Sequence, residues 1–154
     1  MDTMIGTGLV LPTLVGDFLR LEGDGRAVCQ VGAELVGNPD GRDLLEETLA
    51  THERHLAWLR RVGEECGTVL PDGGTDYAAS RVGGIRLAHR VHEHGGDRAV
   101  LAAVAVLEVD TVQAYHRVLR GTALSAVLRP AFERARGDLA RQSARLDQAA
   151  RTAA

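Results

Sequence analysis

The sequence has 154 residues, of which 45% are hydrophobic, and its formal net charge is −3. This length suits a single domain with its own core, and the mild charge without a basic stripe argues against a nucleic-acid partner. Aromatic residues make up only 3% of the chain, so the core has to be built from Leu, Val and Ala. Such a composition favours helices over β-sheets. We expect one all-α domain over residues 1–154.

Turn residues divide the sequence into five stretches with helical periodicity. The turns are indicated at residues 38–41, 71–74 and 95–97, with a weaker break at 121–122. The predicted helices cover residues 9–36, 41–66, 76–94, 97–120 and 123–151.

The ends of these helices carry further signals. Gly23 and Gly25 predict a kink or local break in the first helix, because glycine weakens helices. Asp40 is the predicted N-cap of the second helix. Pro130 suits the first turn of a helix, so the last helix has an alternative start at about Arg129.

The cysteines and the N-terminus indicate the compartment. Cys29 and Cys66 are far apart, and residues 1–15 lack the positive start of a signal peptide. No apolar run approaches the roughly 20 residues of a membrane span. We expect a cytoplasmic protein with free thiols and no membrane partner.

Several ionisable residues share the apolar face of their helices. Glu22, His52, His55, Glu108 and Tyr115 all lie on or beside the predicted inner lines. Burying them is costly unless each is paired, hydrogen-bonded or bound to a metal. Carboxylates and imidazoles are ligands of zinc, iron and manganese. A hydrogen-bonded Glu–His pair without a metal would satisfy the same pattern.

Short motifs over residues 17–115 carry a family resemblance. They are Asp17-x-x-x-x-Glu22, Pro39 in the turn before the second helix, His55-x-x-x-Leu59, Asp97-Arg-Ala-Val-Leu-Ala-Ala, and Glu108 seven residues before Tyr115. This set resembles the ferritin-like superfamily, especially its branch of small bacterial stress proteins. The resemblance implies an antiparallel four-helix bundle with an extra shorter helix in the long connection.

In that superfamily the bundle holds two metals, with one Glu from each of two helices and Glu-x-x-His from each of the other two. The resemblance assigns Glu22, His55 and Glu108 to this site. His52, however, stands where the Glu before His55 is expected, so a full di-iron site is not expected.

The last helix departs further from the pattern. Glu133 and Asp138 are each followed three residues later by Arg136 and Arg141, where His is expected, and arginine cannot be a ligand. On a helical wheel Glu133 faces outward and Gln142 inward. An arginine near the centre would pair with Glu22 or Glu108.

Three other features have simpler interpretations. His89, His92 and His94 are interpreted as polar residues near a helix C-terminus. Trp58 is predicted to face outward, where it would suit a dimer contact. Cys29 lies near the interior with nothing nearby in sequence to activate it.

Three functions are consistent with these observations. The favoured one is a ferritin-like oxidoreductase with a mononuclear site of Glu22, His52, His55 and Glu108, holding iron, manganese or zinc and acting on oxygen, peroxide or a small oxidisable substrate. The second is a metal-free bundle that uses Glu22, Glu108 and Tyr115 as acid–base groups for an isomerisation or cyclisation. The third is a structural or regulatory homodimer, and a homodimer is expected in any case.

Overall fold

The computed structural model describes residues 3–67, 76–92, 95–121 and 123–153. Within these ranges it contains five helices and no strand, which confirms the all-α prediction. The helices are α1 Thr3–Leu35, α2 Pro39–Glu65, α3 Asp76–Val91, α4 Gly96–Gly121 and α5 Leu128–Thr152. The predicted turn at residues 71–74, His94 and Thr122 lie outside the described residues.

The first helix is longer and more regular than expected. It begins at Thr3 instead of residue 9, contains Pro12, and runs through Gly23 and Gly25 as one unbroken helix. The predicted break is therefore wrong. Packing of α1 against α2, α3 and α4 outweighs the weak helix propensity of its glycines.

The starts of α2 and α5 follow local chemistry. The side chain of Asn38, not Asp40, caps α2, because it accepts hydrogen bonds from the backbone N–H groups of Asp40 (2.9 Å) and Gly41 (3.2 Å). Pro39 then occupies the first helical position, where its missing N–H costs nothing. The start of α5 at Leu128 agrees within one residue with the alternative start at Arg129, and the start at residue 123 is wrong.

The helix ends fix the topology. One apolar cluster joins Val36 of α1, Leu45 of α2, Leu101 of α4 and Leu146 of α5. The C-terminal ends of α1 and α5 therefore meet the N-terminal ends of α2 and α4. A second cluster at the opposite end of the molecule contains Phe18, Leu59, Tyr115, Phe132 and Leu139.

Four helices surround the space between these clusters. α1 packs antiparallel to α2 and α4, and α5 packs antiparallel to the same two helices. α2 and α4 are parallel, so the chain has to return the length of the molecule between them, and α3 lies in this connection. α3 packs against α1 and α4 and contributes Ile85 to the first cluster. The α1–α4 side of the core is thus covered, whereas no helix is packed over the α2–α5 side among the described residues.

The helix α4 is the one to consider as a membrane span among the described helices. Among the described helices, α4 alone is long and apolar enough to cross a membrane by length and composition, with a window of mean hydropathy 1.2. α4 buries Glu108 and Tyr115 in the core, however, and the core helix of a soluble protein passes the same test. A cytoplasmic location stays a prediction.

Candidate metal centre

A polar layer lies where the two apolar clusters meet, and its members Cys29 and Tyr115 also belong to those clusters. Glu22 and Cys29 from α1, His52 from α2, and Glu108 and Tyr115 from α4 all have 0% of their surface exposed. The spacing of seven residues between Glu22 and Cys29, and between Glu108 and Tyr115, places each pair on one face two turns apart. The predicted inner faces thus bring these side chains into a single buried layer.

His52 lies at the centre of this layer. Its Nδ1 atom donates to Glu22 Oε2 at 2.6 Å and its Nε2 atom to Glu108 Oε1 at 2.9 Å. Burial by itself would lower the pKa of His52. The negative charge of Glu108 and the hydrogen bonds with Cys29, Glu108 and Glu22 outweigh it and raise the pKa well above its usual value. His52 is therefore an imidazolium held between two carboxylates.

Glu22 is the most heavily bonded carboxylate of the layer. Besides His52, it accepts a hydrogen bond from the Tyr115 hydroxyl on Oε1, and His55 Nδ1 lies 3.1 Å from the same oxygen. Burial would raise the pKa of Glu22, but the hydrogen bonds and charges of His52 and His55 lower it to about 2. Burial and the negative charge of Glu22 raise the pKa of Tyr115 well above 10, so this phenol stays protonated.

His55 links the layer to α5. Its Nε2 atom lies 3.3 Å from Asp138 Oδ2, and the other oxygen of Asp138 accepts a hydrogen bond from Arg141. Arg141 therefore pairs with Asp138, and not with Glu22 or Glu108 as considered for an arginine near the centre. Arg141 lies on the exposed face of α5 and reaches Asp138 one turn away.

The remaining predicted residues of α5 lie where the helical wheel placed them. Glu133 is exposed, and Gln142 is buried. The Gln142 side chain hydrogen-bonds with Thr48 and Glu47 of α2. α5 therefore contributes Asp138 at the edge of the layer and no side chain at its centre.

Cys29 is the residue that sequence reasoning missed. Its thiol points at Glu108 Oε1 over 4.0 Å, and one ligand atom each of Cys29, His52 and Glu108 lie within 4.8 Å of one another. Burial raises the pKa of the thiol, partly opposed by its hydrogen bond with His52. The available signal was the seven-residue spacing from Glu22, which puts Cys29 on the same inner face.

The position of His52 depends on Gly25 of α1. A Cβ atom at position 25 would lie 2.4 Å from Cε1 and 2.6 Å from Nε2 of the imidazole. Since real Cβ atoms do not approach other atoms so closely, a side chain at this position and the observed ring exclude each other. Gly25, although a weak helix former, makes room for the central histidine.

The donors fit a single metal ion. A thiolate, an imidazole and a carboxylate are ligands of zinc and iron. Among the described residues, Glu108 Oε2 is the one buried side-chain polar atom without a hydrogen-bond partner. The contact of His52 Nδ1 with Glu22 matches the carboxylate–histidine pairs that orient metal-binding imidazoles. Cys29, His52 and Glu108 are therefore the residues that could hold a metal, and Glu22 and His55 lie on the far side of the ring.

His92 and Trp58 lie apart from this centre. His92 is exposed and bonds to the backbone oxygen of Ala88 at 2.9 Å, as expected near a helix C-terminus. Trp58 does not face outward as predicted. Its ring packs edge-on against Phe132 of α5, with centroids 5.4 Å apart, because α5 lies beside that face of α2.

Comparison of the chain with protein-family models, curated proteins and solved structures finds no match. The resemblance to the ferritin-like superfamily therefore stays a prediction.

Proposed function

We propose that this chain is a metal-binding protein with a ferritin-like bundle, in which Cys29, His52 and Glu108 hold one metal ion. The observation that carries the proposal is the meeting of these three donors from α1, α2 and α4 in a fully buried layer. A purely structural network would be expected to satisfy its buried polar atoms. Leaving Glu108 Oε2 without a partner costs about 1–3 kcal/mol, and a bound cation would offset that cost.

The charge of the layer also supports a cation. At the fully buried centre one imidazolium, His52, faces two carboxylates, Glu22 and Glu108. His55, whose charge also acts on Glu22, lies at the edge of the layer. The centre itself therefore carries an excess negative charge. In a low-dielectric interior such an excess attracts a positive ion strongly. Binding would displace the protons of the Cys29 thiol and of His52 Nε2, which makes the affinity dependent on pH.

The ligand types limit which metal would bind. A cysteine thiolate favours zinc or iron over manganese, which prefers carboxylate and water oxygens. Three protein ligands leave an open position, as in catalytic centres. A bound iron ion would supply redox chemistry toward oxygen, peroxide or a small oxidisable substrate. In this arrangement Glu22 orients His52, and the Tyr115 hydroxyl holds Glu22 in place.

The bundle topology supports the ferritin-like part of the proposal. Two antiparallel pairs, α1 with α2 and α4 with α5, are joined by a long connection that contains α3. The proposed ligand set differs from that implied by the family, because Cys29 takes part while Glu22 and His55 support it. This difference follows from His52, whose ring fills the middle of the layer.

The test is metal content, with cobalt(II) as the spectroscopic probe. Tag-free protein is analysed as purified and after anaerobic reconstitution with iron, zinc or cobalt. We expect about one metal per chain and, with cobalt, an absorption band from the thiolate. Cys29→Ser and Glu108→Gln should each lower the affinity by roughly tenfold or more, and Cys29→Ser should abolish the thiolate band.

Cys66 provides the matched control, because it is the exposed free cysteine. Cys66→Ser should bind metal like the unchanged protein. Absence of metal under every condition, or an unchanged thiolate band in Cys29→Ser, would rule out the proposed centre.

The metal-free acid–base enzyme is the second candidate. It is favoured by the continuous hydrogen-bonded chain from Tyr115 through Glu22 and His52 to Glu108. These side chains are fully buried and use their polar atoms on one another, so the chain as observed offers a substrate few free groups. If these hydrogen bonds persist when excess metal is added, the NMR signals of the histidines will not change. That result would favour this candidate.

Exposed apolar side chains on α4 support the expected homodimer. Val106 and Val109 on α4 are 62% and 46% exposed, which suits a contact surface. Sedimentation velocity over a range of concentrations would decide it, because a monomer at all concentrations would exclude the dimer.

A further inference from the structure

The polar layer approaches solvent on one side of the molecule, between α2 and α5. The apolar clusters close both ends of the core, and α3 covers the α1–α4 side. On the α2–α5 side, the His55 side chain is 9% exposed and that of Asp138 is 34% exposed. Any ion that reaches the fully buried centre has to pass between helices, and this is the side on which polar side chains extend to the surface.

Metal-ligand atoms follow one another along this side. Asp138 Oδ2 lies 3.3 Å from His55 Nε2, and His55 Nδ1 lies 3.1 Å from Glu22 Oε1. Glu22 Oε2 in turn lies 2.6 Å from His52 Nδ1. Carboxylate and imidazole alternate from the surface to Nδ1 of the central ring, whose Nε2 atom faces Glu108 on the other side. A cation moving inward would thus meet a ligand at each step as far as His52.

We propose that divalent cations enter the centre between α2 and α5, with Asp138 and His55 as transient entry ligands. This inference rests on the proposed function, because it assumes that the centre binds metal. Asp138 would take the ion from solvent, and His55 would receive it at the edge of the layer. Both would be free of the metal again once it is held by the inner ligands.

The surface around Asp138 suits this role. A depression of about 500 Å³ on α5 is lined by Pro130, Glu133, Arg134, Gly137, Asp138 and Arg141. Asp138 is the one of these side chains that contacts His55. Asp138 therefore borders both this depression and the His55 side chain.

Arg141 would oppose entry. Its guanidinium bonds to Asp138 Oδ1 and is 72% exposed, so it neutralises the entry carboxylate and repels an approaching cation. An exposed pair of this kind is weak and opens easily. Removing the charge of Asp138 and removing that of Arg141 should therefore change the entry rate in opposite directions.

The experiment measures the rate of cobalt(II) uptake by metal-free protein, followed by stopped-flow absorbance of the thiolate band. Asp138→Asn should lower the second-order rate constant roughly tenfold, because it removes the carboxylate that would bind the incoming ion beside His55. Its final spectrum and dissociation constant should match those of the unchanged protein. Arg141→Gln should raise the rate several-fold.

Glu133→Gln is the matched control, because Glu133 lines the same depression and is exposed. We expect its uptake rate to stay close to that of the unchanged protein. Since Asp138→Asn is isosteric and lies at the surface, circular dichroism should show an intact fold.

The outcomes separate the two proposals. A thiolate band that forms equally fast in Asp138→Asn would overturn the entry path and leave the metal centre standing. A changed final spectrum in Asp138→Asn would make Asp138 a permanent ligand and also overturn it. Absence of the band in the unchanged protein would overturn the metal centre itself, and the entry path with it.

Discussion

The imidazole of His52 lies so close to Gly25 that a Cβ atom at position 25 would be 2.4 Å from its Cε1 atom. The contact joins α1 to α2 at the level of the polar layer. It also fixes the ring that bridges Glu22 and Glu108. The glycine and the histidine therefore form one unit, in which the small residue defines where the large one can lie.

A side chain at position 25 is expected to destabilise the protein. Gly25→Ala would force the His52 ring away from its partners, and overpacking of this kind costs about 1–3 kcal/mol. The better helix propensity of alanine returns at most about 1 kcal/mol. Urea denaturation at neutral pH measures the net loss.

Gly23 on the same helix provides the control for this substitution. A Cβ atom at position 23 would meet nothing within 4 Å, so Gly23→Ala should stabilise the protein by up to about 1 kcal/mol. Equal stability of the two alanine variants would contradict the proposed contact.

The charge of Glu22 should matter more than its shape. Glu22→Gln keeps the volume but leaves the His52 imidazolium with one carboxylate partner, and breaking a buried ion pair costs about 3–5 kcal/mol. Asp17→Asn removes the exposed pair with Arg20 and should change the stability by less than about 1 kcal/mol. Chemical denaturation measures the loss in free energy of unfolding for both variants. Similar losses would argue against a charged His52.

Helical periodicity accounts for the part of the centre that the sequence predicts. Glu22, His52 and Glu108 lie in the apolar lines of three helices, and burial at each position follows from that spacing. The all-α fold follows from the same pattern. Periodicity within one helix thus identifies which side chains face the core.

The contacts between helices could not be predicted in this way. The approach of Cys29 to Glu108 depends on the distance and rotation of α4 against α1, which no local pattern encodes. Asp138 lies at the edge of the inner face, so its contact with His55 depends on how α5 rests against α2. The requirement for glycine at position 25 likewise follows from the position of the His52 ring on α2, which the sequence of α1 alone does not indicate.

The stability of the metal-free protein should depend on pH on both sides of neutrality. The pKa of Glu22 is lowered from 4.5 to about 2, so its contribution is present above pH 4.5 and is lost as the pH falls toward 2. The pKa of His52 is raised well above 6.5, so its contribution is present below pH 6.5 and is lost as the pH rises through the raised value. Stability from this pair should therefore be greatest between about pH 4.5 and 6.5.

Chemical denaturation across the pH range tests this dependence, with His52→Gln as the comparison. Subtracting the profile of the variant removes the contributions of other titrating groups that the two proteins share. The difference should shrink toward both ends of the range. A difference that stays constant with pH would show that His52 does not carry the charge assigned to it.

The two thiols should differ sharply in reactivity. Cys29 is fully buried and its pKa is raised, so it presents little reactive thiolate, whereas Cys66 is exposed. In metal-free protein at pH 8, a disulfide reagent such as dithiobis(nitrobenzoate) should label one cysteine per chain quickly and the second only on unfolding. Cys66→Ser should remove the fast reaction, and Cys29→Ser should leave it unchanged. Fast labelling of Cys29 in the folded Cys66→Ser variant would mean that the layer opens to solvent readily, which contradicts the closed centre described above.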